Sequence, residues 1–380
     1  GGTNANFVTT ATAELFDPAT GLFTATGPMS VSRAEHKATL LPDGRVLVVG
    51  GGNHTTDHAV AEIFHPATGT WAPTGALTTT RGHHTATLIG SKVLIAAGYD
   101  GLLPIASAEL YDPATGTFSP TGGLAQARWI HTATRLPDGR VLVAGGTTLG
   151  AFTPGSPLKT TELYQPATGT WTVAGPMLDS RWHHTATLLQ SGKVLVASIF
   201  KGELFDPATA AWSLAGNIPQ PVETHVAARF PNGTVLLAGG SGPSATFTAV
   251  FDPATNTFAP GPPMAYGRSD HAGVTLDDGA VLLVGGYGTL AAGSAAADSA
   301  ELRTGSIVLT GLTVTPLFTE ATHPATVVFK AMGTFSVGSV ADVTSLAGWG
   351  ATPGSVATAG STKGTFNTLA PGSAAITTTF

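Results

Sequence analysis

Six histidines recur along the chain at intervals of 41 to 53 residues: His36, His84, His131, His184, His225 and His271. Five of them follow an arginine by three positions, namely Arg33, Arg81, Arg128, Arg181 and Arg268, and the fifth copy has Val222 instead. Imidazoles gathered around one axis could bind a transition metal. Such a site needs three or four converging ligands, and a ring several strands wide is broad for that. Strict recurrence favours a scaffold role, in which each histidine bonds backbone or packs near its arginine. The six are therefore weak metal candidates, and no cofactor is expected.

A second recurring group is acidic. Glu62, Glu109, Glu162, Glu203 and Glu301 follow the arginines in order, and the copy with Val222 has Ala249 in this place. Arginine and glutamate are thus lost together. The pattern predicts one buried Arg–Glu pair per repeat, each charge keeping the other from being buried alone. Assigning Glu301 to the last repeat leaves Glu14 without an obvious partner.

The two letters between arginine and histidine change in every copy. They are Ala34-Glu35, Gly82-His83, Trp129-Ile130, Trp182-His183, Glu223-Thr224 and Ser269-Asp270. The fourth copy also lacks the Gly-Gly pair of the others, reading Ala197-Ser198, and runs almost without a loop into Lys201.

The elements that must hold these residues are short strands. Each histidine opens an alternating run, then a tight turn, clearest at Asp43-Gly44, Asp138-Gly139, Asn232-Gly233 and Asp278-Gly279 and weaker at Gly90-Ser91 and Ser191-Gly192. A continuous apolar run follows, such as Val46-Leu47-Val48-Val49, as expected for a strand buried on both faces. A second hairpin turns on Asp-Pro-Ala-Thr-Gly, with Glu-Leu-Phe or Glu-Leu-Tyr before it and Phe or Trp after it, as in Glu109 to Phe118.

The Gly-Gly pair, the Tyr or Phe before Asp-Pro and the aromatic after the turn resemble the kelch repeat over residues 1–305. The resemblance implies an all-β fold, a six-bladed propeller, with seven blades as the alternative. We expect the N-terminal strands to join the last hairpin and close the ring. Residues 306–380 lose the period. Leu312-Thr313-Val314-Thr315-Pro316, Gly333-Thr334-Phe335-Ser336, Asp342-Val343-Thr344, Trp349, Ser355-Val356-Ala357-Thr358 and Pro371-Gly372-Ser373-Ala374-Ala375-Ile376-Thr377 resemble the bacterial immunoglobulin-like group 2 domain, a small β-sandwich that commonly serves as a spacer.

In a kelch ring the variable letters sit at one mouth of the channel. Glu35, His83, Trp129, Trp182, His183, Lys201, Glu223 and Asp270 are therefore the candidate ligand-binding residues, suited to a sugar ring or a peptide segment. The symmetry breaks between the fourth and fifth copies, which singles out Trp182, His183, Lys201 and Glu223. No catalytic residue is assigned, because no pair has a diagnostic spacing and no nucleophile elbow, phosphate loop or HExxH motif is present. The pairing of a kelch ring with an immunoglobulin-like domain resembles the galactose oxidase family. With no cysteine in the sequence, the cysteine–tyrosine copper radical of that family cannot form.

Composition narrows the partners. Charged residues are 11% and the net charge is -6, with no basic run, so nucleic acid and anionic membrane have no electrostatic footprint. No apolar stretch is long enough to span a bilayer as a helix. The resulting expectation is a bacterial, secreted or cell-surface binding module for a glycan or protein. The alternatives are a surface protein that self-assembles by strand exchange at its ends, with the loops at 53–59, 147–160 and 287–299 as contacts, and a non-copper carbohydrate-active enzyme using mouth carboxylates.

Overall fold

The computed structural model describes residues 1–4, 6–53, 56–148, 157–241, 245–290, 293–296 and 299–304, and shorter stretches of the C-terminal part: 309–315, 326–335, 340–342, 348–352, 357–359, 365–368 and 375–379. The described elements are all strands. An N-terminal pair, β1 (Glu14–Asp17) and β2 (Leu22–Ala25), precedes six blades of a β-propeller. Blade 1 holds β3 (Lys37–Leu40), β4 (Val46–Val49), β5 (Ala61–His65) and β6 (Thr70–Pro73). Blade 2 holds β7 (Thr85–Ile89), β8 (Lys92–Ala96), β9 (Ala108–Asp112) and β10 (Thr117–Thr121), and blade 3 holds β11 (Thr132–Arg135), β12 (Val141–Ala144), β13 (Thr161–Gln165) and β14 (Thr170–Ala174).

Blade 4 has three strands, β15 (Thr185–Leu188), β16 (Val194–Asp206) and β17 (Ala211–Val222). Without Gly-Gly to turn the chain outward, its second and third strands run on as the single 13-residue β16, with register shifts on either side of Lys201. Blade 5 is regular: β18 (Val226–Arg229), β19 (Val235–Ala238), β20 (Thr248–Asp252) and β21 (Thr257–Pro260). Beyond it, β22 (Arg268–Ser269), β25 (Tyr287–Leu290) and β26 (Gly293–Ala296) form a small rim sheet, while β23 (Ala272–Thr275), β24 (Val281–Val284) and β27 (Ala300–Arg303) form blade 6.

The two periodicities in the sequence explain the packing. Asp43-Gly44 and Asp138-Gly139 turn with glycine φ of 85° and 90°, a region that glycine enters without a Cβ clash. Along each second strand alternate residues face opposite neighbours. Val93 and Ile95 of β8 pack with Leu47, Val49 and Ile63 of blade 1, and Leu94 and Ala96 pack with Val141, Val143 and Tyr164 of blade 3. The continuous apolar run thus serves two interfaces, each fully buried aliphatic side chain stabilising the ring by about 1.5–3 kcal/mol. The outer hairpins place an aromatic pair in register, such as Tyr164 opposite Trp171 with ring centroids 5.0 Å apart. Trp171 Nε1 donates to the Gly122 carbonyl at 2.7 Å, across to blade 2.

Four of the expected ion pairs form inside their blades with both side chains buried. These are Arg33–Glu62 at 2.6 Å, Arg81–Glu109 at 2.8 Å, Arg128–Glu162 at 2.8 Å and Arg181–Glu203 at 2.6 Å. Each arginine also donates to at least two backbone carbonyls; Arg128 reaches Gly145 O at 3.0 Å and Thr160 O at 2.9 Å. The fifth pair is different. Arg268 donates to Gly285 O, Ser299 O and Ser299 Oγ, each at 3.0 Å, and Glu301 instead contacts Arg303 at 2.5 Å.

The expected closure of the ring is corrected. The third strand of blade 6 is β27, paired to β24 from Val281↔Arg303 to Val284↔Ala300. β27, which follows β24 through the rim strands β25 and β26, takes that place, and β1 and β2 remain a separate two-stranded sheet.

The chain divides into two compact units, the propeller and a second unit that contains Thr304–Phe380. In the second, β28 (Leu309–Thr315) pairs β30 (Lys330–Phe335), which pairs β31 (Val340–Asp342). β29 (Thr326–Val328) and β33 (Ala357–Ala359) flank β34 (Thr365–Thr368), and β32 (Gly348–Thr352) pairs β35 (Ala375–Thr379). Of the sequence landmarks there, Pro316, Ser336, Val343, Thr344, Ser355, Val356 and 371–374 lie outside the described residues. Among the described residues no helix is long and apolar enough to cross a membrane.

Candidate functional site

A cavity of about 700 Å³ occupies the channel on the Gly-Gly side of the ring. The residue immediately before each ring histidine lines it: Glu35, His83, Ile130, His183, Thr224 and Asp270. All six have a left-handed backbone, with φ between 46° and 59°. That conformation is uncommon for any residue but glycine and most strained for β-branched Ile130 and Thr224. It turns the second variable letter into the channel. The first letter pairs outward with the following loop instead, as in the bridges Ala34↔Gly52, Gly82↔Tyr99 and Trp129↔Thr147. Backbone bonds link neighbouring blades at this level, Thr224 N–H to His183 O at 3.2 Å and Asp270 N–H to Thr224 O at 2.9 Å.

This sorts the sequence candidates. Glu35, His83, His183 and Asp270 face one cavity. Trp129 stands beside it, 5.0 Å from the His83 ring and 5.1 Å from Tyr99. Trp182 contacts the His183 ring at 5.6 Å. Glu223 and Lys201 are absent from the lining. The Glu223 backbone accepts from Ser241 N–H at 3.0 Å, and the Lys201 ammonium sits half-exposed 3.1 Å from Asp179. The fused β16 directs Lys201 along a strand rather than over the mouth.

His83 is the hub of the mouth electrostatics. Its Nε2 lies 2.9 Å from Glu35 Oε2. Burial pushes the Asp57 carboxyl up to about 6, with the Glu35 charge adding to the rise and His83 opposing it. Burial also raises Asp270, while a Ser269 hydrogen bond and His83 oppose. Burial lowers His183, and His83 lowers it further. The mouth is therefore a mildly acidic, partly desolvated basin with an aromatic wall at Trp129 and Tyr99.

Several groups in the lining or beside it are not marked out by the repeat pattern. Asp57 lies in the loop after the first Gly-Gly, bridged back to Gly52, and only its polarity was visible. Ile130 and Thr224 line the cavity without a charge or an aromatic ring to mark them in the sequence. Lys37 follows the histidine where other copies have Thr85, Thr132, Thr185, Val226 and Ala272. It is open to the channel yet enclosed by the ring; burial lowers its amine, with Glu35 opposing.

The ring histidines, weak metal candidates by sequence, are not gathered into a ligand set among the described residues. His84, His131, His184, His225 and His271 do line the channel. In three of them, however, Nε2 is turned sideways to a hydroxyl of the preceding blade: Thr85 to His131 at 3.1 Å, Thr132 to His184 at 3.0 Å and Thr185 to His225 at 2.8 Å. Among the described residues no three His, Asp or Glu side chains are grouped so as to hold a metal ion. His36 faces a different cavity, between β1 and blade 1.

Residues 80–124 match the kelch motif. This segment covers β7 to β10, the whole of blade 2. No curated protein matches the chain. Among solved structures the chain is similar to a fungal alcohol oxidase of the AA5 family determined in complex with copper, with a TM-score of 0.65 and 16% identity over 88% of this chain and 77% of that one. It is also similar to YjhT, with a TM-score of 0.57 and 14% identity over 73% of this chain and 96% of that one. At these identities the likeness is one of fold. A kelch propeller is a framework for protein interaction.

Proposed function

We propose that the chain is a secreted or cell-surface binding module whose channel mouth takes a glycan or protein segment. One observation carries this reading. The blades repeat one scaffold of ring histidine, tight turn and apolar second strand, yet the single position that a left-handed backbone turns into the cavity carries five residue types over the six copies: Glu35, His83, Ile130, His183, Thr224 and Asp270. Constant framework with variable lining is the arrangement expected of a recognition surface. The acidic basin beside Trp129 and Tyr99 suits sugar hydroxyls, which hydrogen-bond carboxylates and stack on aromatic faces, or a peptide carrying a basic side chain. Residues 306–380 would act as an immunoglobulin-like spacer that holds the ring away from its anchor, and the source would be bacterial.

The test is a glycan and peptide array probed with the wild-type chain and with Glu35→Gln and His83→Ala. Ligands of the mouth are expected to lose about tenfold or more in affinity in both variants. Binding that both variants leave unchanged removes the mouth as the site.

A second reading is a carbohydrate-active enzyme that uses mouth carboxylates without copper. It is favoured by one feature, the Asp57 carboxyl raised to about 6 beside Glu35, which is the tuning a general acid requires. Turnover of an array-positive glycan by the wild-type chain and its loss in Asp57→Asn would replace the binding reading with this one.

A further inference from the structure

Lys37 opens β3, the inner strand of blade 1, and lines the channel cavity. Among the described residues it is the single lysine or arginine in that lining. In the other five blades the inner strand opens on Thr85, Thr132, Thr185, Val226 or Ala272. The three threonines join the histidine of the following blade through their hydroxyls. Lys37 makes no such joint, and His84, the histidine it precedes, keeps a buried Nε2 without a hydrogen-bond partner. Blade 1 thus gives up a connection and puts a primary amine in the channel.

This amine is placed unlike those on the surface. Lys92 lies 3.2 Å from Asp112, Lys193 3.1 Å from Asp206 and Lys201 3.1 Å from Asp179, all half-exposed ion pairs. Lys37 makes no hydrogen bond or ion pair among the described residues. Its side chain is open to the channel, so a small molecule that enters the mouth reaches it. The cavity of about 700 Å³ is large enough for an open-chain sugar.

The surroundings favour the free amine. Burial in the ring lowers it below its ordinary value of 10.5, and only the Glu35 charge opposes. The imidazoles of His84 and His131, whose titration burial also lowers, stand within reach of the Lys37 charge. Arg33 and Arg81, which flank this part of the ring, are held by Glu62 and Glu109. A desolvated lysine amine without a counter-charge is a nucleophile suited to carbonyl carbon.

We propose that Lys37 is a covalent capture site for a small aldehyde, free or as the open-chain form of a reducing sugar, which it holds as an imine. The Nζ lone pair attacks the carbonyl carbon and forms the C–N bond. The carbonyl oxygen takes up a proton as nitrogen releases one, giving a carbinolamine. The nitrogen lone pair then forms the C=N bond, nitrogen loses its second proton, and the hydroxyl leaves with a proton as water. Amine and aldehyde become imine and water, with no change of oxidation state. Glu35 faces the same cavity and is the carboxylate whose charge acts on Lys37, which suits it to pass these protons. The capture site shares its cavity with the binding site proposed above, but it depends on Lys37 and not on the mouth contacts.

The experiment incubates the full chain at pH 7 with glycolaldehyde or with galactose, each with cyanoborohydride, which reduces an imine to a stable secondary amine. Peptide mass spectrometry then locates the modified lysines. Lys37 is expected to react about tenfold or more faster than Lys92, Lys193 and Lys201. Lys37→Arg keeps the charge and should abolish the fast adduct while surface labelling is unchanged. If that variant misfolds, Lys37→Thr, which carries the residue of blades 2 to 4, takes its place. A fast adduct from glycolaldehyde alone assigns the site to free aldehydes, and one from both probes extends it to reducing sugars. Labelling of Lys37 no faster than that of the three surface lysines overturns the proposal. Loss of array binding in Glu35→Gln and His83→Ala would in that case still stand for the mouth.

Discussion

Thr132 of blade 3 and His184 of blade 4 are joined by a hydrogen bond of 3.0 Å across the blade interface. The same joint recurs at Thr85–His131 and Thr185–His225. It is absent where the threonine is replaced: Lys37 precedes His84 and Val226 precedes His271, and both of those histidines have a buried Nε2 without a hydrogen-bond partner. His131, His184 and His225 are therefore blade-to-blade connectors.

Val226→Thr should restore the missing joint to His271 at constant side-chain shape. A gain of about 1 kcal/mol is expected, and a loss of similar size for Thr132→Val. Urea unfolding of the two variants checks both, and equal midpoints would show that the joint carries no stability.

Acid should unfold the ring through these histidines. Burial lowers His184 and His225 to about 3 and His36 and His271 to about 4. The unfolded chain binds protons near 6.5, the folded one only near 3 to 4. Their contribution is therefore complete above pH 6.5 and declines as pH falls through the interval down to the folded values. Melting temperature plotted against pH should drop across that window, and His184→Gln should shallow the drop.

Glu109→Ala strands Arg81 in the core, where its guanidinium is fully buried. A cost of about 3–5 kcal/mol is expected, whereas replacing both partners by apolar residues of similar volume should cost much less. Glu301→Ala should have a small effect, because Arg268 is held by Ser299 and Gly285 instead. Chemical denaturation of the three variants ranks them.

Asp57→Asn should stabilise the fold at pH 8 and leave it nearly unchanged at pH 4. The folded carboxyl titrates near 6, above its ordinary value of 3.8. The folded state thus favours the protonated acid, and stability is lost as pH rises through the folded value. Parallel melts at the two pH values measure the difference.

Thr224→Gly should raise stability by about 1 kcal/mol, since it relieves a left-handed β-branched residue and removes a buried hydroxyl that has no hydrogen-bond partner. If Thr224 also meets ligand, the same change will weaken binding at the mouth while the melting temperature rises.

Much of this was legible in the residues. The joint loss of arginine and glutamate at Val222 and Ala249 pointed to an ion pair, because a buried charge requires its opposite nearby, and four such pairs form. Asp43-Gly44 and its equivalents marked the hairpins because so few dipeptides fit those turns. The site was less legible. Glu223 and Lys201 were chosen for their chemistry, but side-chain direction depends on backbone conformation, and neighbouring letters of one strand start point opposite ways.

The repeated brick is written in the residues: strand periods, turns and charge pairs are local or nearly local, and each copy restates them. Which variable letters meet is set by the folded ring. A left-handed φ at Glu35, His83 and Asp270 aims them into one cavity, and a backbone torsion leaves no mark on residue type when any side chain is tolerated there. The fold also decided how the ring ends. β1 and β27 both carry a third-strand sequence, and it is β27, reached from β24 through β25 and β26, that pairs with the last hairpin.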